Sequence, residues 1–336
     1  MSHPGPTNSL ADVPGLSIGC AHNEAARTGV TVIAPDQRAV AGVDLRGGGP
    51  GTRETDALAA ENLVDAVDAL VLAGGSVYGL AAADGVVAAM GAEGKGFQLM
   101  PQPGVPPSPV IPAAILYDLA NGGDKAWGVD PPYAALGRAA YAARTRAVPL
   151  GNAGAGYGAQ AGALKGGQGS ASIVTQDGFT IGALVCVNSF GSTTMPNSRA
   201  FWAHPFEIAG EFGAVAPDGA PFDLEDWAGA KVNPAPRANT TIACVALDAA
   251  LSPAQAKRIA HMASAGLARA IRPVFAPFDG DVVFALSTAA RALPEPGAFA
   301  LARFGALAAD CLARAVARAV FEAASLGGAP AWRDLR

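Results

Sequence analysis

The 336-residue chain predicts a layered α/β sandwich. Short apolar runs of strand length alternate with Ala-rich helical stretches, but without the strict βαβ succession of a doubly wound sheet. No period of twenty to fifty residues repeats, which excludes a solenoid. Half of the sequence is hydrophobic (51%) and only 15% is charged, enough apolar surface for a large core.

Three strands open the chain: LSIGCAH (16–22), GVTVIA (29–34) and AVAGVDL (39–45). The PDQR between the second and third has the polar, Pro-led composition of a hairpin connection. RGGGPGTRETD (46–56) reads as a loop, followed by a helix over 56–67 and a strand ALVLA (69–73). Gly74-Gly75-Ser76 then turns into an Ala-rich helix reaching Met90. This site lacks the Gly-Lys-Ser/Thr ending of a phosphate loop and the spacing of a dinucleotide fingerprint, so close helix-on-strand packing explains its glycines.

The Pro-rich 98–112 is an irregular connection, AAILYDLA (113–120) is β-like, and a helix is expected over 133–144. Eight glycines between 151 and 172 precede strands near 170–175 and 180–188. Lys165 lies among them, and a lone Lys in such a loop is most often a solvated charge. Residues 193–238 show no sustained period, which in a compact fold marks a functional segment. A buried strand follows over 241–248. Ser252 caps, and Pro253 begins, the next helix, through 271. FDGDVVFALST (278–288) turns into a strand, and a helix over 297–325 closes the chain.

The net charge of −5 gives no electrostatic reason to bind nucleic acid. No run of eighteen apolar residues and no secretory leader are visible, so a cytoplasmic protein is expected. Cys20, Cys186, Cys244 and Cys311 lack paired spacing and read as reduced thiols. None of His3, His22, His204 and His261 sits in a nucleophile motif, and no G-x-S-x-G elbow occurs.

Two short stretches carry possible chemistry. Asp279-Gly280-Asp281 suits a type I turn and an ammonium- or cation-binding pair equally. Asn239-Thr240, taken alone, reads as the capped start of a strand. It also permits an N-to-O acyl shift, in which the Thr240 hydroxyl attacks the preceding carbonyl. Hydrolysis of the ester would leave Thr240 with a free α-amine, of ordinary pKa about 7.7–8.0, able to act as base for its own hydroxyl.

Eight blocks in fixed order extend this reading. They are DVPGLSIG (12–19), RGGGPGTRETD (46–56), LAGGSVYGLAAADGV (72–86), GNAGAGYGA (151–159), LKGGQGSAS (164–172), LVCVNSFG (184–191), NTTIACVA (239–246) and FDGDVVFAL (278–286). Together they resemble the self-processing aminopeptidase family of the L-aminopeptidase/D-esterase and the 6-aminohexanoate-oligomer endohydrolase, from about residue 10 to 325.

The resemblance implies an αββα sandwich of the N-terminal-nucleophile-hydrolase kind, one domain cut once between Asn239 and Thr240 into subunits 1–239 and 240–336. It makes Thr240 the nucleophile of both cutting and turnover. Asn188 becomes an oxyanion donor, of a kind worth about 3 kcal/mol, and Lys165 a charge near the nucleophile. Asp279 and Asp281 would hold the new ammonium or the substrate amine, and Tyr117 would line the pocket. It implies a small peptide or amide substrate, such as β-peptides or ω-amino-acid oligomers, no metal or organic cofactor, and a homo-oligomer, as in tetrameric relatives.

Three departures stand out. Ser264-Ala265-Gly266 replaces a His-Asp-Gly of many relatives, and Phe275-Ala276 replaces a His-Thr. Ala134-Ala135 replaces the Lys that precedes Leu-Gly-Arg in the nylon-oligomer branch. The Asn-Thr-Thr junction and Asp-Gly-Asp nevertheless resemble that branch, while the L-aminopeptidase has Gly-Ser and a Glu. Alternatives within reach of the same residues are an L-aminopeptidase/D-esterase-type exopeptidase, an acyl transfer like that of ornithine acetyltransferase, and an unprocessed anion-binding protein using GAGYG and Lys165.

Overall fold

The strongly apolar runs become strands buried on both faces, as a sheet covered on each side requires. The computed structural model describes residues 2–219, 221–227, 229–231 and 239–335. The first half supplies β1 (Leu16–Asn23), β2 (Thr28–Pro35), β3 (Val40–Leu45), β4 (Thr52–Arg53), β5 (Leu70–Ala73), α1 (Ala81–Ala92), β6 (Ala113–Ile115) and α2 (Tyr133–Ala142). Next come β7 (Gln160–Ala161), β8 (Leu164–Lys165), β9 (Gly167–Val174), β10 (Thr180–Asn188) and β11 (Thr240–Ala249). The remainder is α3 (Pro253–Ala263), α4 (Ala265–Ala270), β12 (Val282–Arg291) and α5 (Gly297–Phe321).

Two five-stranded sheets result, in the orders β1-β2-β5-β6-β4 and β3-β12-β11-β10-β9. Alternate residues of each strand serve different cores. Leu184, Cys186, Ile242, Cys244 and Phe284 pack between the sheets with Ile18, Ile33, Leu70 and Leu72. Their neighbours Val185, Val187, Ala243, Val245 and Val283 face α3, α4 and α5. On the far side Val30, Val32 and Val71 meet α1 and α2. Helices, sheet, sheet, helices: this is the αββα order. Glycines set the spacing of the layers, since a Cβ on Gly169 of β9 would collide with the Ala315 carbonyl of α5.

Several expected elements differ. The PDQR stretch is no hairpin, because both edges of β2 are already occupied by β1 and β5, and β3 pairs instead with β12 in the other sheet. The helix expected over 56–67 is one 3-10 turn, Thr55–Leu58. There the Asn62 side chain donates to the Asp56 carbonyl, competing with a further helical turn. Val67 is extended and exchanges backbone hydrogen bonds with Ala39. The β-like 113–120 keeps only Ala113–Ile115 as strand, which frees Tyr117 and Asp118 from the sheet. The helix expected from 253 to 271 breaks at Ser264, whose hydroxyl donates to Asp44.

The irregular 193–231 contributes Phe201 and Phe212 to the outer core, while residues 232–238 of that segment lie outside the described residues. Among the described residues no helix is long and apolar enough to cross a membrane. Arg314 of α5, 1% exposed, makes a two-pronged ion pair with Glu211 of this segment, at 2.5 and 2.9 Å. It also donates to Ser172 O and Asn8 Oδ1. A buried guanidinium stripped of its carboxylate is strongly unfavourable. Glu211→Ala is therefore expected to lower unfolding free energy by about 3–5 kcal/mol, read as a shifted denaturant midpoint.

Candidate active site

Strand register determines what meets at one edge of the second sheet. β10 and β11 are antiparallel and place Asn188 directly opposite Thr240. β11 and β12 are parallel, with Ile242 beside Val282, so both strands start at this edge. The turn before β12 thereby brings Asp279-Gly280-Asp281 against the start of β11, where Asn239 bridges Asp279. By strand alternation Thr240 and Asn188 share the inter-sheet face with Ile242 and Cys186.

Asn239 and Thr240 are both buried. The Thr240 hydroxyl donates to the Asn239 carbonyl oxygen. That same oxygen accepts the Gly280 N–H at 3.1 Å. Gly280 is irreplaceable in shape: a Cβ there would sit 2.7 Å from Thr240 Oγ1 and 2.8 Å from Gly49 O. Asp281 is anchored by the N–H groups of Thr241 (2.7 Å) and Phe275 (3.2 Å). Among the described residues, both polar atoms of the Asn239 amide and Asp279 Oδ1 are buried without a hydrogen-bond partner. Each such atom costs about 1–3 kcal/mol.

Burial pushes the Asp279 and Asp281 carboxyls up, and Asp281 is raised further by Asp279 beside it. The cation that opposes this for Asp279 is Lys231. Lys231 had no sequence signal beyond being a lone lysine in an irregular segment. Its ammonium donates to Asn188 O (3.1 Å) and Asn188 Oδ1 (3.3 Å).

Asn188 links this edge to a cavity of about 130 Å3, lined among others by Tyr117, Asp118, Asn121, Gln160, Asn188 and Lys231. The Asn188 amide donates to Tyr117 O at 2.9 Å and accepts the Gln160 N–H at 2.9 Å. Tyr117 thus meets Asn188 through its backbone carbonyl and is one of the residues lining the cavity.

Lys165 is 1% exposed, so the solvated-loop expectation fails. The glycine-rich turn folds over it, and its ammonium donates to Gly156 O (3.3 Å) and Gly166 O (2.6 Å). Burial pulls its pKa down to about 7, against the opposing charge of Asp118. Lys165 therefore feels the charge of Asp118, and Lys231 that of Asp279 and Asp281. Asp118 is itself buried, held by Thr28 Oγ1 (2.6 Å) and Gly75 N (2.7 Å), with its carboxyl pushed up to about 6. A single acid inside the apolar run ILYDLA was its only signal in the sequence. Thr240, Asn188, Asp279 and Asp281 are thus brought together; Tyr117 meets Asn188 at the cavity, while Lys165 reaches it only indirectly, through its strand partner Gln160.

The lowered Lys165 pKa has a definite sign in stability. From pH 7 to the unfolded value near 10.5, the unfolded chain holds a proton that the folded one has released, so stability rises with pH. Lys165→Met should remove about 2 kcal/mol of the rise between pH 7 and 9, measured as unfolding free energies by urea titration at both values.

Known proteins share this architecture and sequence. The peptidase family S58 model matches residues 8–331. An uncharacterized aminopeptidase of Mycobacterium tuberculosis (strain ATCC 25618 / H37Rv) is 43% identical, over 98% of each chain. A 6-aminohexanoate-oligomer endohydrolase of Agromyces sp. (strain KY5R) is 32% identical over 85% of this chain and 77% of its own. The L-aminopeptidase D-Ala-esterase/amidase of Ochrobactrum anthropi, described as a variant of the Ntn hydrolase fold, superimposes with a TM-score of 0.69 at 24% identity, covering 98% of this chain and 90% of its own. With its two packed sheets, its blocks in order and its match over nearly the whole length, the chain belongs to peptidase family S58 and is a hydrolase of amide bonds.

Proposed function

We propose that the chain is a self-cutting amide hydrolase whose nucleophile is Thr240, released as a new N-terminus by cleavage after Asn239. The observation that carries this is the contact of the Thr240 hydroxyl with the Asn239 carbonyl, whose oxygen already accepts the Gly280 N–H. In the maturation step Oγ1 bonds to the Asn239 carbonyl carbon, and the hydroxyl proton passes to the departing Thr240 nitrogen. The C–N bond breaks, leaving an ester and a free amine. Water then hydrolyses the ester, giving the Asn239 carboxylate and the original hydroxyl. The Gly280 N–H is placed to stabilise the negative charge that develops on the carbonyl oxygen. Exposure of the orphaned Asn239 amide to water would favour the cut state.

In turnover the α-amine of Thr240 takes the proton of its own hydroxyl, which attacks the substrate carbonyl. The substrate's amine portion leaves, and water hydrolyses the acyl-enzyme. Asn188 stands across the ladder from Thr240 and on the cavity wall, where its amide can hold the substrate oxygen. Asp279 and Asp281 provide counter-charge for the new ammonium, and Lys165 contributes positive charge behind Asn188. Tyr117 bounds the entry. The small cavity suits short linear amides: small peptides with a free amino end, β-peptides or 6-aminohexanoate oligomers, in keeping with the endohydrolase relatives. The cut halves, 1–239 and 240–336, would stay together in a homo-oligomer.

Denaturing electrophoresis with intact mass is the direct check. Purified protein should give two chains that meet at 239/240. Recovery of a fully active uncut 33.4 kDa chain would refute the maturation step. Thr240→Ala should abolish both the cut and hydrolysis, and surviving hydrolysis would remove Thr240 from the mechanism. Gly280→Ala keeps the N–H but crowds the hydroxyl. It should slow the cut about tenfold or more, a loss of about 1.4 kcal/mol or more in the barrier, followed by electrophoresis over time.

A further inference from the structure

We propose that Lys231 is a positioning residue of this site, fixing the Asn188 amide and serving as counter-ion to the Asp279–Asp281 pair. The proposal rests on the reading that Asn188 and the two aspartates serve amide cleavage, and it adds a residue that neither the motifs nor the family resemblance supplied.

The backbone delivers Lys231 to this place. Its N–H donates to Phe190 O at 3.0 Å, and the Gly229 carbonyl accepts from Ala163 N at 2.9 Å. The segment is thus pinned against the end of β10 and the turn between β7 and β8. The side chain turns inward and its ammonium reaches both oxygens of Asn188. An Asn amide can rotate by half a turn at little steric cost, exchanging donor and acceptor. Asn188 Oδ1 receives two donors, Lys231 Nζ and Gln160 N, and this fixes its NH2 toward the Tyr117 side, where the cavity opens. An oxyanion donor must be aimed before charge develops, and Lys231 does the aiming.

The second part is electrostatic. Asp279 and Asp281 sit two residues apart and both are buried. Asp281 has two backbone donors, and backbone hydrogen bonds from Ala276 and Phe190 also favour the ionised Asp279, whose Oδ1 is left without a partner among the described residues. Two buried carboxylates at this spacing cannot both stay ionised without a cation. Lys231, held on Asn188 directly across the ladder from Thr240, supplies that positive charge through space, with no direct ion pair to either aspartate among the described residues. The charged or titratable groups around it are Asp279 and Asp281 at the start of β12, Tyr117 and Asp118 after β6, and Lys165 of β8 behind Asp118. Lys165 is engaged by Gly156 O and Gly166 O, which leaves Lys231 as the basic group facing the pair among the described residues.

The test uses the full chain and its own junction as substrate. Wild type, Lys231→Met and Lys231→Arg are made by cell-free synthesis, and the rate of cutting is followed by electrophoresis from pH 5 to 9. Lys231→Met should cut about tenfold or more slowly. Its acid limb should move to higher pH, because losing the cation makes the aspartates harder to ionise. Lys231→Arg should restore most of the rate and return the limb. Lys231→Met cutting at the wild-type rate with an unmoved profile would overturn the proposal. So would a slowed Lys231→Met whose limb stays in place and which Arg does not rescue, since that marks a merely structural role. Wild type that never cuts removes the self-cutting reading together with this one, whereas wild type that cuts no faster than Lys231→Met removes only the role of Lys231.

Discussion

Everything at the site depends on one ladder, β10-β11-β12, antiparallel on one side of β11 and parallel on the other. Because β10 ends where β11 and β12 begin, the end of β10, the start of β11 and the turn before β12 converge on a single sheet edge. A parallel neighbour needs a crossover, and α3 and α4 provide it on the outer face. A one-residue slip of β11 would turn Thr240 away from the inter-sheet side, exchanging it for Thr241. Burial of alternate residues in two different cores makes that slip costly. The geometry of this edge is therefore held by the packing of the sandwich, and no disulfide assists, since Cys20, Cys186, Cys244 and Cys311 are all free.

The charges follow a matching logic. Two lysines and three aspartates lie around Asn188 in an interior that desolvates all of them. The cations are pulled down and the anions pushed up, so their ordinary separation of several pH units shrinks toward neutrality. Groups in that range exchange protons at small free-energy cost, a condition that acid–base chemistry on amides requires. They also divide spatially, with Lys165 toward Asp118 on the cavity side and Lys231 toward Asp279 and Asp281 at the sheet edge.

The layered fold was legible because its strands are short apolar runs bounded by Gly, Pro or Asn, whose length and flanks separate them from the longer Ala-rich helices. The start of β11 was legible because Asn239-Thr240 stands at the head of such a run. Partnerships were less so. Local composition at PDQR suggested a hairpin, and only the occupied edges of β2 excluded it. The 56–67 helix is replaced by one 3-10 turn, beside which the Asn62 side chain takes the Asp56 carbonyl. Lys231 and Asp118 were hidden because a lone ionisable residue in a loop looks solvated until tertiary structure encloses it. Lys165 illustrates the same limit: its burial is made by glycines that let the 154–158 turn close over it, and no window of sequence records that closure.

Arg314 belongs to the segment after Asn239-Thr240, and Glu211 to the segment before it. The β10-β11 seam likewise joins the two sides of that junction. A broken chain would therefore be clasped by a central ladder and a buried ion pair, with no covalent tether left. Loop-closure entropy, supplied once by the intact polypeptide, would not be available a second time. Heat would act on such a protein as an irreversible sorting of fragments, and its durability would be a lifetime set by how slowly the clasp opens.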